Sequence, residues 1–265
     1  MKCVVITGSA RGLGFEMAKE FRKNNFNVVI SDLKEENLKS AKEKLEDIKS
    51  DSKIHYVVCD VTKERDLENL IKDSVDKFDH IDIFINNAGI NQPNCPIWQV
   101  DNSAIEKIID VDLKGTIIGS KLALNQMIKQ GYGAIYNIEG HGSNDNVIMG
   151  LSIYGTSKRA ITYFTEALAC EIEIKNLPIL IGKLAPGIMI TDFIQNSLVD
   201  NKIELDEKTK KVYNILGDYP DVIAKFLVDK MIHNKKNNVK FNWLTNFKAS
   251  IRFITSGFNK RNFFK

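Results

Sequence analysis

Several features that would assign a function class at once are missing from this chain. No apolar run approaches the ~20 residues that a helix needs to cross a bilayer. The four cysteines, Cys3, Cys59, Cys95 and Cys170, have neither metal-site nor disulfide spacing. No metal is therefore expected, and because three of them sit in or beside apolar runs they read as buried thiols of a reducing compartment. A net charge of only +3 is too small to argue for a nucleic-acid partner. There is no long linker and no internal repeat. The opening MKCVVITG meets glycine too early for a signal peptide, so a cytoplasmic protein is expected. What is present is ordinary for a globular chain, with 43% hydrophobic and 27% charged residues in 265, enough for one large domain or two small ones.

Short apolar runs alternate with amphipathic stretches over the first two thirds. Strands are expected at Cys3–Thr7, Asn27–Ser31, Lys53–Cys59, Ile81–Ile85, Ala134–Ile138 and Pro178–Leu184. Helices are expected at Gly12–Lys23, Lys34–Ile48, Glu64–Phe78, Asn102–Lys129 and Ser152–Lys175. This β–α alternation predicts an α/β domain with a doubly wound parallel sheet covered by helices on both faces. One domain over residues 1–265 is expected.

Thr7–Gly14 reads TGSARGLG and joins the first strand to the first helix. Glycines there let the backbone approach a pyrophosphate at a helix N-terminus, where N–H groups and dipole favour anions. The gaps between Gly8, Gly12 and Gly14 are three and then one, unlike the usual dinucleotide fingerprint with gaps of one and two. A plain tight turn is the alternative. Asp32 ends the second strand, where a carboxylate accepts hydrogen bonds from adenosine ribose hydroxyls and favours NAD, or else caps the next helix. Arg11 instead suits a 2′-phosphate, so NADP stays open. Asp60 and Val61 end the third strand, where an adenine ring lies in such a fold. Asn86-Asn87-Ala88-Gly89 ends the fourth; small residues let ribose or nicotinamide lie against backbone, and the amides can tie strands together.

Tyr154 and Lys158 share one helix face at i and i+4. Free tyrosine titrates too high to exchange protons easily at neutral pH, and a neighbouring ammonium lowers that value. The pair therefore suits acid–base chemistry, or is simply two residues on a helix surface.

TGSARGLG, Asp60–Val61, NNAG, the Tyr154–Lys158 pair and Pro186–Gly187 with Thr191 stand in the order found in the short-chain dehydrogenase/reductase family, which residues 2–195 resemble. The resemblance implies a three-layer Rossmann fold of about seven strands with its site at the strands' C-terminal ends. It implies NAD(P)(H) held by Gly8, Ser9, Arg11, Gly12, Leu13, Gly14, Asp32, Leu33, Asp60, Val61, Asn87, Ala88 and Gly89, and by Tyr154, Lys158, Pro186, Gly187, Ile188 and Thr191, the last four around the carboxamide. Tyr154 becomes the general acid or base, with Lys158 lowering its pKa and holding the nicotinamide ribose. Where the family places Ser-Ser after the fifth strand, this chain has Glu139–Gly140. The carbonyl-polarising role then falls to Ser143, eleven residues before Tyr154, with His141 as rival donor. The family's relay asparagine is replaced by Asp112, which can keep the relay by pairing with Lys158 or by carrying a proton itself. The family also forms dimers and tetramers through the two long helices.

The remainder is less typical. Residues 193–234 would form the substrate loop and helices, with Asp218–His233 amphipathic. Val239–Trp243 is expected as the last strand. Residues 244–265 form a basic, aromatic extension that suits a membrane surface or a hydrophobic substrate, or packs on this or a neighbouring subunit. NIEGHGS, IYGTSK and this tail resemble the chlorophyll b reductase branch of the family, which acts on a large flat macrocycle. With a strand starting at residue 3 and no transit peptide, the expected substrate is a bulky hydrophobic polycycle, a steroid or bile acid first. The alternatives are another hydrophobic carbonyl, as in chlorophyll b reductases, and an inactive dinucleotide-sensing protein.

Overall fold

The computed structural model describes residues 1–144, 147, 149–190, 207–258 and 261–264. Seven strands alternate with helices: β1 (Cys3–Ile6), α1 (Gly12–Lys23), β2 (Asn27–Asp32), α2 (Glu35–Glu46), β3 (Ile54–Val58), α3 (Glu64–Phe78) and β4 (Ile83–Asn86). Then follow α4 (Asn102–Ile108), α5 (Gly115–Gln130), β5 (Gly133–Ile138), α6 (Ser152–Ile174), β6 (Ile179–Ala185), α7 (Glu207–Leu216), α8 (Pro220–Ile232), β7 (Val239–Asn242) and α9 (Asn246–Thr255). All seven strands lie in one parallel sheet in the order β3-β2-β1-β4-β5-β6-β7.

The strands are apolar throughout because both faces are covered, and side chains alternate between two cores. Val4 and Ile6 of β1, Ile83 and Ile85 of β4, and Tyr136 of β5 face one side, against α1, α2 and α8. Cys3, Val5, Phe84 and Ile135 face the other, against α3, α5 and α6. The helices present matching stripes: Leu13, Met17, Ala18 and Phe21 on α1, and Leu67, Leu70, Ile71 and Phe78 on α3. Pro220 opens α8 at a position where its missing N–H costs nothing.

Two expectations change. The helix expected over Asn102–Lys129 is interrupted by one π-type turn, Ile109–Lys114, between α4 and α5. Such a wide turn changes the direction of the side chains it carries and recurs at functional sites; here it carries Asp112. Of the thiols, Cys3 and Cys59 are buried, Cys95 is half-buried and Cys170 is exposed. Cys170 lies on the outer face of α6, one residue past the buried Ala169, because apolar neighbours in sequence do not share a helix face. Among the described residues no helix is long and apolar enough to cross a membrane, and no His, Cys, Asp and Glu cluster could hold a metal.

Candidate active site

β1 lies between β2 and β4, so the strand order reverses there and the connections leave toward opposite faces. The Gly8–Gly14 turn occupies this crevice. Thr7 Oγ1 accepts from the N–H groups of Asn87 and Ala88, both at 3.0 Å. Asn87 Nδ2 donates to the carbonyls of Thr7 and Gly8 at 2.9 Å. A Cβ at Gly8 (φ 60°) would come within 2.7 Å of Ala88 Cα. Gly12 has the same φ but faces open space: a Cβ there would meet nothing within 4 Å. α1 starts beside that space with no side-chain cap and no acidic residue in its first turn. Its free N–H groups and open glycine fit a pyrophosphate. Ser9 and Leu13, expected at the cofactor, point elsewhere. Ser9 Oγ donates to the Ile6 carbonyl (2.7 Å) and accepts from Ser31 N–H (3.0 Å), bracing β1 to β2. Leu13 is buried in the core under the turn. Only the backbone of these two can face a ligand.

Asp32 ends β2, accepting from Leu33 N–H at 2.8 Å. It does not cap α2, whose N-cap is Lys34 without a side-chain bond. The Leu33 side chain and Arg11 are exposed at the same edge. Asp60 accepts from Thr62 N–H (3.1 Å) and Oγ1 (2.7 Å) and lies 3.4 Å from Lys63 Nζ. Burial raises its pKa, but the Thr62 bonds and Lys63 outweigh that and leave it lowered. Val61 is buried, in contact with the start of α5 where Gly115 has no side chain.

The acid–base group forms where α6, the π turn and the loop after β4 meet. Lys158 and Asp112 are buried, with Nζ 3.1 Å from Asp112 Oδ2. Asp112 Oδ1 accepts from Ile90 N–H at 2.8 Å. Gly89 lies over the pair; a Cβ there would be 3.5 Å from both carboxylate oxygens and 3.6 Å from Nζ. Lys158 Nζ is 5.4 Å from the centre of the Tyr154 ring. The ammonium pulls the Tyr154 pKa down as expected, but it does not set the net direction. Burial raises it, Lys158 pulls it down, Asp112 pushes it up, and the net direction is up. Burial opposes the charge on Lys158, but Tyr154 and Asp112 prevail and raise its pKa. After burial, the carboxylate at the relay position is the second influence that opposes the lysine at the phenol.

The loop after β5 reaches the same point. A Cβ at Gly140 would overlap the Tyr154 hydroxyl, so the residue in the family's serine position must be glycine for the phenol to sit there. Gly142 (φ 94°) packs its backbone directly on Gly155 of α6. That contact turns the loop back, and Ser143 Oγ accepts from Gly140 N–H at 3.0 Å while Ser143 N–H donates to the Gly140 carbonyl at 3.1 Å. The bond to Gly140 uses a lone pair of Ser143 Oγ, not its proton. Ser143 is buried and His141 is exposed. Pro186–Ile190 is held by paired bonds, Ile190 N–H to the Asp218 carbonyl (2.9 Å) and Asp218 N–H to the Ile188 carbonyl (3.0 Å). Thr191 lies outside the described residues.

Local reading of the sequence misses three supports. Gln92 Oε1 accepts from the N–H groups of Ile153 (2.8 Å) and Tyr154 (3.1 Å), and Nε2 donates to the Gly150 carbonyl at 2.9 Å. It thereby caps α6 at the residue that carries the phenol; no local pattern signals a cap 61 residues away. Glu139 is buried, accepting from Thr162 Oγ1 (2.8 Å) and lying 2.6 Å from Lys240 Nζ of β7. Asn86, Ser120, Asn137 and Thr165 form a buried chain of hydrogen bonds from β4 to α6.

A Gly-rich turn at the switch point and a phenol–ammonium pair on the helix after β5 define a class, and the comparisons agree. The profile described as short chain dehydrogenase matches residues 2–202, and the chain belongs to the short-chain dehydrogenase/reductase family, a family of NAD(P)-dependent oxidoreductases. Within it the sequence matches the chlorophyll(ide) b reductase branch. It is 32% identical over 228 residues to a chloroplastic chlorophyll(ide) b reductase of Oryza sativa subsp. japonica, covering 85% of this chain and 65% of that protein. The chain thus spans about two thirds of that relative's length. Levodione reductase superposes with a TM-score of 0.79 at 25% identity, covering 91% of this chain and 96% of the other. A 7α-hydroxysteroid dehydrogenase complexed with NADH and 7-oxo glycochenodeoxycholic acid superposes with a TM-score of 0.77 at 22% identity, covering 91% and 92%; it shares the fold.

Proposed function

We propose that this protein interconverts a carbonyl and an alcohol on a bulky, hydrophobic, polycyclic substrate, using NAD(P)(H). The observation that carries the reading is the meeting of Tyr154, Lys158, Asp112 and Ser143 beside the Gly8–Gly14 turn. When bound, the nicotinamide gives or takes the hydride. Tyr154 gives or takes the proton at the substrate oxygen. Lys158 holds a positive charge behind the phenol, and Asp112 fixes that ammonium to the loop after β4. Ser143 donates a hydrogen bond from its hydroxyl to the carbonyl oxygen as negative charge develops there, and keeps its proton. Asp32 favours NAD, since its carboxylate suits ribose hydroxyls and repels a 2′-phosphate; Arg11 at the same edge keeps NADP in reach.

Among polycycles, a flat macrocycle with a carbonyl side chain now ranks before a steroid. The sequence relationship supports the first, whereas the steroid reading draws on a likeness of fold alone. We also place a subunit contact on α5 and α6, where Ile128, Tyr163 and Ile174 are exposed. The test is cofactor oxidation, with NADH and with NADPH, in the presence of a formyl-bearing chlorophyllide, a set of steroid ketones, or a small diketone. Turnover of the macrocycle above the others is the expected result. Cofactor binding without turnover of any carbonyl would favour a dinucleotide sensor instead.

A further inference from the structure

α9 is inside out. Its apolar side chains recur at steps of four, three and four, Phe247, Ile251, Ile254 and, just past its end, Phe258, which is one continuous helix face. Their exposures are 76%, 44%, 79% and 93%. The opposite face, which packs on the body of the protein, is the polar one. Arg252 lies 2.7 Å from Asp218 Oδ2, and Lys248 Nζ sits 2.9 Å over the centre of the Trp243 ring. Trp243 Nε1 itself donates to Asp218 at 2.7 Å. A helix held to its own domain turns its apolar stripe inward. Here polar anchors hold the helix with the stripe outward, as an exposed apolar patch.

Charge separates in the same part of the chain. Residues 230–265 contain nine Lys and Arg and no Asp or Glu, so residues 1–229, with the other 28 cations and all 34 acids, are net −6. Across a two-fold contact between identical copies, each cationic segment would meet its own like. Three of these cations, Lys248, Arg252 and Arg261, are held on Trp243 and Asp218; an apolar stripe on a segment with six further cations and no acid is instead complementary to a surface with negative headgroups above a hydrocarbon layer.

We propose that α9 lies on an anionic lipid surface, with Phe247, Ile251, Ile254 and Phe258 inserted at the headgroup boundary. This stands apart from the substrate assignment, because α9 is a surface and not part of the acid–base site.

The test is sedimentation of the full chain with vesicles of phosphatidylcholine alone or of phosphatidylcholine with phosphatidylglycerol. The wild type is expected to sediment with the second and not the first, and to be released by salt. Phe247→Asp with Ile254→Asp is expected to weaken binding at least ~tenfold, since buried apolar area and charge both set such binding. Phe258→Asp, beyond the helix end, is a second variant that leaves α9 intact and is expected to weaken binding in the same direction. Circular dichroism and turnover of the variants should match the wild type. Equal sedimentation with both vesicle types, or binding unchanged by all substitutions, overturns the proposal. So does a wild type that ignores vesicles but loses oligomeric mass in light scattering when Phe247 and Ile254 are replaced, which would assign the face to a second copy.

Discussion

The Gly8–Gly14 turn and the Gly140–Ser143 loop both leave the C-terminal end of a strand, β1 and β5, and both depend on glycine. In the first, the backbone is braced by Thr7, Ser9 and Asn87, and Gly12 opens onto empty space. In the second, Gly142 rests on Gly155, and Gly140 leaves room for the hydroxyl of Tyr154. One loop lacks a side chain where it faces open space, the other where it admits a group of the protein itself. A glycine pattern alone therefore does not report what approaches the backbone.

The largest expected effect comes from removing what the second loop makes room for. Tyr154→Phe keeps the ring and loses the hydroxyl, so turnover should fall ~10²–10⁴-fold with cofactor binding intact, by steady-state kinetics and cofactor titration. A variant with more than about a tenth of the wild-type rate would remove Tyr154 from the acid–base role.

Ser143→Ala tests whether the second loop also supplies the oxyanion donor. Loss of one such donor costs ~10²–10³ in kcat. His141→Ala should act less, and mainly on KM, because His141 is exposed at the rim. If the two results are reversed, His141 is the donor, and the rate will show a histidine titration.

Gly140→Ala attacks the comparison itself. The new Cβ overlaps Tyr154 Oη, and a displacement near 1 Å costs ~10²-fold in rate. Cofactor affinity should fall far less than the rate, since the first loop is untouched although the new Cβ also nears Lys158 Cγ at 3.2 Å; a loss of affinity equal to the loss of rate would mean that the loops are not separate devices.

A smaller change is expected at the ligand side of the first loop. Asp32→Ala should relax discrimination between NAD and NADP by about tenfold, a single hydrogen-bonded charge contact. Unchanged efficiency ratios would show that Asp32 does not read the ribose.

The mildest effect is a displacement of pH dependence. Asp112→Asn keeps the shape of the side chain and removes the charge that raises the Tyr154 pKa. Lys158 then acts on the phenol against burial alone, and the rising limb of alcohol oxidation should move to lower pH. An unmoved limb would mean that the carboxylate does not set the phenol's titration.

The sheet was legible because its strands are short apolar runs and its helices carry period-3.6 stripes. The order of motifs also placed Gly8, Asp32, Asn87, Tyr154 and Lys158 along one edge of it. What was not legible depends on partners distant in the chain. Gln92 caps α6 from a loop 61 residues upstream. The π turn that carries Asp112 looks like ordinary helix in sequence, since its residues have unremarkable helical preferences. Tyr154 beside Lys158 predicted a lowered pKa, because spacing shows the ammonium and not the burial or the carboxylate on another element. Residues 244–265 read as basic and aromatic, but composition does not say whether the apolar side chains of α9 look in or out.

Asp218 gathers the C-terminal part of the chain at one point. Trp243 Nε1, Arg252 and Arg261 all reach its two oxygens at 2.7 Å, and its backbone pairs with Ile188 and Ile190. Burial works against its charge, but the bonds from Arg252, Trp243 and Arg261 prevail and lower its pKa. A carboxylate lowered on folding stabilises the folded form above its unfolded pKa, and that contribution disappears as pH falls through the lowered value. Acid is thus the condition that unfastens this segment. Across the neutral range the latch stays closed, and the strip between Pro186 and Ile190 keeps its place whether or not anything rests on the outer face of α9.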